Sequence, residues 1–455
     1  MLLCNHNSAV FLVLSACPVS WRTTYANVIL SRTYSSGSAT NQLQGKVHMK
    51  RYGEFLTAQE DLMFVEAVRK YIDKEVMPVR SALDEDYSVF EKVNRGLVEL
   101  GIQRRGFAER YGGLGIRSAV TVCAITEEIS RGDAGLSLHS LLTPWSLAAA
   151  MGARNEFLMD KFIPMFATDT PRVGCMAITE PAGGCNVEDV AERARTIRTR
   201  ARRDGDEWVI KGEKIWPSAA GVADLYCVVC TTEEDNDEDS LALIYVPKDT
   251  PGLSFGKPEP KMGMRVTDVN AAIYFDDVRV PIQYRAGGPG VDWQLFRGNI
   301  AWGRLTSAPM SLGCAQAVLE EVIEYTATRS YGGKPVRNHS LQGAMIADMA
   351  IGIESARAYY MSVAKMFDNR KAYGGVNEDY LLGKASAAKV YACDVTETVC
   401  AKAMELMGSY GYSTQAPIEK YLRDSKIIQL WLGGAQLGRL DAAQSLYPYN
   451  PVPKS

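Results

Sequence analysis

The chain has 455 residues, of which 47% are apolar and 23% are charged, and its formal net charge is −3. This composition is ordinary for a globular protein and gives no basic face for nucleic acid. No apolar run approaches the roughly 20 residues that a membrane-spanning helix needs. Ten cysteines and four histidines are scattered along the chain, and Cys227 and Cys230 lack the second pair that would complete a zinc site. We therefore expect no metal site.

The first 50 residues contain no Asp or Glu, are rich in Ser, Thr and Asn, and carry Arg22, Arg32 and Lys46. This profile is typical of a mitochondrial presequence. We expect residues 1–35 to be a presequence and the mature protein to lie in the mitochondrial matrix or to face it. A secretory signal is the alternative, because Ala9–Cys17 is apolar. The basic residues follow that stretch instead of preceding it, which favours the mitochondrion.

Hydrophobic periodicity divides the rest of the chain into three parts. Apolar residues at three- and four-residue spacing predict helices over 55–168. Short β-rich runs separated by Gly, Pro and Asp predict a β-domain over 172–285. Long Ala-rich helical runs return over 293–446 and predict a helical bundle, which a proline-rich tail at 447–455 follows.

Several motifs occur in a fixed order along these three parts: ERYGGLG, AITEPAGG, KIWPSAAG, KMGMRVTD, ELMGSYGYS and YLRDSKI. Together they resemble the acyl-CoA dehydrogenase family over about residues 55–445. The resemblance implies an α+β fold with an N-terminal helical domain, a middle β-barrel-like domain and a C-terminal four-helix bundle. It also implies the chemistry of that family, in which a Glu removes an α proton from an acyl-CoA thioester while FAD accepts a hydride from the β carbon.

The resemblance places the family's Glu-Gly-Thr at Leu432, Gly433 and Gly434, so a leucine stands where the base belongs. Some branches of the family carry the base just before an Arg in the first helix of the bundle, and there Gly303 precedes Arg304. Neither leucine nor glycine accepts a proton. Loss of a positioned general base costs on the order of 100- to 10,000-fold in rate.

A one-residue error in the alignment would not restore the base, because no acidic residue lies between Asp424 and Asp441. One alternative to a missing base stays open. A carboxylate from elsewhere, such as Glu405, would have to come within hydrogen-bond reach of the substrate.

The resemblance also assigns the cofactor and substrate contacts. The flavin half looks complete, and Ser218 keeps the hydroxyl expected there, although Pro217 lacks an N–H and is expected to disturb the strand. The ADP half is eroded, since Gly332, Ser340 and Glu405 replace a Phe and two Gln, and the Thr contact near the flavin is lost at Gly434. We therefore expect FAD binding to be weakened or lost. The cofactor contacts assigned are Met176, Ile178, Thr179, Trp216, Ser218, Arg329, Gly408, Ser409 and Gly433, and the substrate contacts are Cys185 and Arg304.

Three functions are compatible with these features. The first is a catalytically impaired homologue kept as a structural or assembly subunit of a mitochondrial complex, paired with itself or with an active paralogue. The second is an active dehydrogenase that oxidises acyl-CoA and reduces electron-transferring flavoprotein. The third is a flavin monooxygenase or oxidase on the same fold. No nucleic acid and no membrane span is expected in any of them.

Overall fold

A computed structural model describes residues 51–184, 196–232 and 238–447. The predicted presequence, the substrate contact assigned to Cys185 and the tail beyond Tyr447 lie outside the described residues. In the part of the chain that is described, no helix combines the length and apolar character of a membrane span. The same residues contain no group of side chains able to hold a metal ion.

The N-terminal domain is helical, as predicted. Four of its helices begin at a side chain that accepts a hydrogen bond from the backbone of the first turn: Asp86, Ser118, Asp133 and Asn155. The helix that follows Ser118 is buried along its whole length, so it forms the centre of this domain. The helices are α1 (Gln59–Tyr71), α2 (Tyr87–Glu99), α3 (Ala119–Gly132), α4 (Ala134–Gly152) and α5 (Glu156–Phe166).

The middle domain is a curled seven-stranded half-barrel, which confirms the predicted β-barrel-like domain. Its strands are paired in the order β1-β4-β2-β3-β7-β6, with β5 paired to β4. The strand β4 is buried at all seven positions, and β7 alternates between buried and exposed residues. The strands are β1 (Gly174–Ala177), β2 (Arg200–Asp204), β3 (Glu207–Lys214), β4 (Leu225–Thr231), β5 (Leu241–Pro247), β6 (Leu253–Phe255) and β7 (Ile273–Pro281).

The C-terminal domain is a helical bundle built around α6, a helix of 38 residues that is about 57 Å long. A short hairpin that the sequence did not predict, β8 (Ser330–Tyr331) and β9 (Lys334–Pro335), follows it. The helices are α6 (Val291–Thr328), α7 (Ser340–Asp368), α8 (Arg370–Tyr373), α9 (Asp379–Met407), α10 (Ser409–Tyr412), α11 (Ile418–Leu430) and α12 (Gly434–Gln444).

Buried ion pairs join the N-terminal domain to this bundle. Glu127 of α3 lies 2.7 Å from the guanidinium of Arg357 in α7, and both side chains are almost completely buried. The neighbouring Glu128 lies 2.8 Å from Arg69 of α1. Burial raises the pKa of the Glu128 carboxyl, but the positive charges of three arginines outweigh burial and hold that pKa well below its usual value. Removing one partner of such a pair costs about 3–5 kcal/mol, because the other charge stays buried. The two helical domains therefore form one support for the site between them.

Candidate active site

The first base position, Leu432, lies in a left-handed turn that follows helix α11. The helix ends at Leu430, and the φ angles of Leu432, Gly433 and Gly434 are 50°, 87° and 64°. A side chain at Gly433 would meet Leu437 at 2.7 Å and the Arg304 guanidinium at 3.0 Å, so this position requires glycine. Leu432 is not a glycine, so its left-handed backbone conformation is strained and costs roughly 1–2 kcal/mol.

Two buried cations hold this turn. Arg304 of α6 donates from Nε to the Leu432 carbonyl at 3.1 Å and from Nη1 to Ser386 Oγ at 2.9 Å, and it is ion-paired with Asp441. Lys389 of α9 donates to the Trp431 carbonyl. Carbonyls at a helix C-terminus lack partners within the helix, and cations suit them. Arg304, which was assigned to substrate binding, is fully buried here. Any role of Arg304 toward a substrate would therefore act through the turn.

The second base position, Gly303, packs directly against the first. A Cβ built on Gly303 would lie 2.9 Å from Leu432 Cδ1 and 3.5 Å from Nε1 of Trp145, which belongs to α4. That indole donates to the Asn299 carbonyl at 3.1 Å, one turn earlier in α6. The amide of Asn299 in turn lies 3.9 Å from Met176 Sδ on β1. We call Trp145, Met176, Asn299, Gly303 and Leu432 the base-position cluster, and none of these five residues carries a carboxylate.

The acidic residues considered as substitutes are held elsewhere. Asp441 touches the support of the turn, but it is ion-paired with Arg304. Glu405 lies near the C-terminus of α9, where the Met407 carbonyl is 3.5 Å from the Tyr325 hydroxyl. Tyr325 is about 33 Å along α6 from Gly303, since each residue adds about 1.5 Å of rise. Glu405 therefore cannot reach the base-position cluster of its own chain.

The flavin contacts assigned on the strand side come together beside this cluster. Met176 is buried on β1, and the chain beyond it is tied to the end of β3. The Ile178 carbonyl accepts from Lys214 Nζ at 2.9 Å, and the Thr179 carbonyl accepts from the Ile215 amide at 2.9 Å. Burial lowers the pKa of Lys214, and Glu180, 2.7 Å away, opposes that shift. Beyond the β1–β4 ladder, this segment is thus held by a backbone hydrogen bond and a buried ion pair.

Trp216 and Ser218 follow β3 on an irregular segment. Trp216 has a φ angle of 68°, exposes 48% of its surface, and accepts at its carbonyl from Asn270 Nδ2 at 2.7 Å. Ser218 makes an isolated bridge with the same Asn270. The strand β3 ends at Lys214, so Pro217 lies in the irregular segment beyond it. An exposed indole beside a backbone with fixed carbonyls and a free hydroxyl suits one face of a flavin.

The ADP contacts lie at the opposite end of α6. Arg329 ends that helix and is exposed, and among the described residues its guanidinium has no hydrogen-bond partner. A side chain on Gly408 would meet nothing within 4 Å, and Ser409 beside it is exposed. Arg329 is about 39 Å along α6 from Gly303. One chain therefore does not bring both halves of the assigned FAD contacts together, which agrees with an ADP arm that crosses a subunit boundary.

The sequence-based interpretation missed an aromatic ring in this region. Gly332 and Gly333 form the hairpin turn between β8 and β9, with φ angles of 54° and 81°, so position 332 is unsuited to the ring that the family carries there. Tyr331, one residue earlier, exposes 49% of its surface and stacks on His339 with ring centroids 3.8 Å apart. The Gly-Gly pair after a short β-prone run was the available signal.

Comparison with known proteins agrees with this geometry. Family models described as the N-terminal, middle and C-terminal domains of acyl-CoA dehydrogenase match residues 58–168, 175–278 and 293–447. The chain therefore belongs to the acyl-CoA dehydrogenase family, whose members are oxidoreductases that generally bind FAD.

Individual relatives match over most of their length. Cyclohexane-1-carbonyl-CoA dehydrogenase of Syntrophus aciditrophicus is 28% identical over 391 residues, 86% of this chain and 97% of the relative. The mitochondrial short-chain specific acyl-CoA dehydrogenase of Rattus norvegicus is 29% identical over 385 residues, 84% of this chain and 89% of the relative. The structure of butyryl-CoA dehydrogenase from Megasphaera elsdenii superposes with a TM-score of 0.77 at 26% identity, covering 86% of this chain and 99% of that one.

Proposed function

We propose that this protein does not carry out α,β-dehydrogenation and serves as a structural or assembly subunit of a mitochondrial complex. In this proposal it pairs with itself or with an active paralogue, and it still binds acyl-CoA without oxidising it. The observation that carries the proposal is the contact between Gly303 and Leu432. Both positions at which the family places a base meet at one point, and that point is filled by a leucine side chain. A thioester α proton has no acceptor there.

The residues assigned to the cofactor support a protein whose single chain binds FAD weakly. Met176, Ile178, Thr179, Trp216 and Ser218 would hold the flavin ring, and FAD, when bound, supplies a hydride acceptor. The ADP set of Arg329, Gly408 and Ser409 would have to come from a second chain, because it lies at the far end of α6. Gly433 is committed to the turn, where Arg304 and Leu437 surround it. The fraction of protein that carries FAD is therefore expected to depend on the association of two chains.

Two observations support the location and the pairing. The acid-free, basic start of the chain is typical of a mitochondrial presequence. The outer face of α7 exposes Leu341 and Ile351 by 76% and 63%, and Tyr412 on α10 exposes 80%. Exposed apolar side chains of this size suit a partner surface. Intact-mass measurement on native material tests the cleavage, and a mature protein that begins at Met1 would contradict it.

An active dehydrogenase that reduces electron-transferring flavoprotein is the second candidate. The observation in its favour is the retained turn, with Arg304 and Lys389 still bound to its carbonyls. A flavin monooxygenase or oxidase is the third, because such chemistry need not use a carboxylate at the base position.

The deciding experiment combines the visible spectrum and native mass of the purified protein with turnover of acyl-CoA by an artificial electron acceptor. The proposal expects turnover below ~1 per second, the low end of common enzyme rates, for every chain length tested. A yellow protein that oxidises any acyl-CoA faster is an active dehydrogenase. A yellow protein that ignores acyl-CoA but consumes oxygen with a reductant supports the oxidase or monooxygenase alternative.

A further inference from the structure

The side chain of Asn299 is almost completely buried, and one of its polar atoms has nothing to bind. Only 3% of Asn299 is exposed, and its Oδ1 accepts no hydrogen bond from any residue that the structure describes. Its other polar groups are engaged, since Nδ2 donates to the Trp145 carbonyl at 3.2 Å and the backbone carbonyl accepts from the Trp145 indole at 3.1 Å. A buried acceptor without a donor destabilises the folded protein, because its lost hydration is not replaced.

The orientation of this amide is fixed by its partners. If the amide were turned over, Oδ1 would face the Trp145 carbonyl, and two acceptors would meet. The unpaired atom is therefore the oxygen, and it can accept a hydrogen bond but not donate one. A ligand that satisfies it must bring an N–H or O–H group.

The position of Asn299 indicates which group of a ligand could donate to it. It precedes Gly303 by one turn of α6, about 6 Å of rise, and the first amide nitrogen of a CoA thioester lies about the same distance from the α carbon when the chain is extended. An α carbon set against Gly303 and Leu432 would thus bring the amide N–H of the pantetheine arm to the level of Asn299. The neighbouring side chains, Trp145 and Met176, are apolar, so a hydrogen bond there is shielded from water.

We propose that Asn299 Oδ1 accepts a hydrogen bond from the amide N–H nearest the sulfur of a bound acyl thioester. Asn299 is then a specificity residue that recognises the carrier arm rather than the acyl chain. This inference rests on the proposed binding of acyl-CoA, and it requires neither flavin nor turnover.

The test uses two small thioesters that differ at one group. The first is the butyryl thioester of N-acetylcysteamine, and the second replaces its amide N–H by CH2 and keeps the carbonyl. Binding of each to the full-length protein is measured by titration calorimetry, with butyryl-CoA as the reference ligand. The wild type should bind the amide at least ~5-fold more tightly, the lower end for a hydrogen bond to a buried acceptor.

Two variants separate recognition from packing. Asn299→Leu keeps the branched shape of the side chain, with a larger volume, and removes both the acceptor and the Nδ2 donor, so the preference for the amide should vanish. Asn299→Asp, protonated at this buried site, keeps an acceptor and a donor toward the Trp145 carbonyl, so the preference should remain. A purely structural role would change stability in both variants without changing the ratio of the two affinities.

The outcomes distinguish a failure of the role proposed for Asn299 from a failure of the proposed acyl-CoA binding. Equal binding of the two thioesters by the wild type overturns the role of Asn299, while acyl-CoA binding stands. If butyryl-CoA itself does not bind, the proposed acyl-CoA binding and the role of Asn299 both fall. If Asn299→Leu does not fold, the wild-type ratio and Asn299→Asp still decide, because an unchanged preference for the amide needs the acceptor.

Discussion

The contact between the two base positions predicts a measurable coupling in stability. The perturbation is Gly303→Ala, made in the wild type and again in a Leu432→Ala background. In the wild type the new methyl group lies 2.9 Å from Leu432 Cδ1, closer than van der Waals contact, so the leucine must shift. In the Leu432→Ala background the Cδ1 methyl group of Leu432 is absent, so the Cβ of the alanine at position 303 meets no such close contact.

Gly303→Ala should change the free energy of unfolding differently in the two backgrounds. Replacing glycine by alanine inside a helix gains about 1 kcal/mol from helix propensity alone. Overpacking against Leu432, whose own φ angle of 50° leaves it little freedom, costs about 1–3 kcal/mol. Gly303→Ala is therefore expected to be neutral or to destabilise the wild type by up to about 2 kcal/mol, and to stabilise the Leu432→Ala protein by about 1 kcal/mol.

Urea unfolding of the four proteins measures the coupling directly. An interaction free energy of about 1–3 kcal/mol is expected, well above the roughly 0.5 kcal/mol within which distant sites add. The matched control is Gly352→Ala in α7, a helical glycine whose nearest neighbour is Val395, and it should give the same change in both Leu432 backgrounds. Additive effects of Gly303→Ala and Leu432→Ala would show that the two positions do not touch, and the argument from one filled point would fail.

Three further predictions follow from the site and its surroundings. Leu432→Glu returns a carboxylate to the turn but restores neither Gly332, Glu405 nor Gly434 to the family residue, so acyl-CoA turnover should stay below ~1 per second; strong activity would mean that only the base was lost. Burial lowers the pKa of His139 to about 4, so the unfolded chain takes up a proton below about 6.5 before the folded protein does. Stability should fall as pH drops from 6.5 to 4, by no more than about 3 kcal/mol, and His139→Gln should flatten that slope in urea midpoints measured at several pH values. Light scattering at micromolar concentration should find a dimer or tetramer, and a monodisperse monomer would contradict the need for a second chain at the ADP site.

Much of the architecture could be predicted because it depends on local pattern. The alternation in β7 and the uninterrupted apolar run in β4 are visible in the sequence, and so is the long Ala-rich α6. The alignment also placed Leu432 and Gly303 as equivalent base positions. Their direct contact could not be predicted from the residues alone, because it depends on how α6 packs against the turn.

Other features depend on conformations that cannot be predicted from residue type. A leucine rarely adopts a left-handed backbone, so the turn at Leu432 could not be predicted from propensity. The unpaired oxygen of Asn299 depends on the orientation of a single amide beside Trp145. Tyr331 was overlooked because the aligned family position, 332, is a glycine, although the ring is present one residue earlier.

The turn at Leu432 is held by bonds to its backbone. Arg304 and Lys389 bind backbone carbonyls, and the pairing of Arg304 with Asp441 ties α6 to α12. None of these bonds uses the side chain at position 432. A leucine there adds apolar contact beside Gly303, which offsets part of the roughly 1–2 kcal/mol of backbone strain. The bonds from Arg304 and Lys389 to backbone carbonyls therefore join the turn to the bundle whichever side chain stands at position 432.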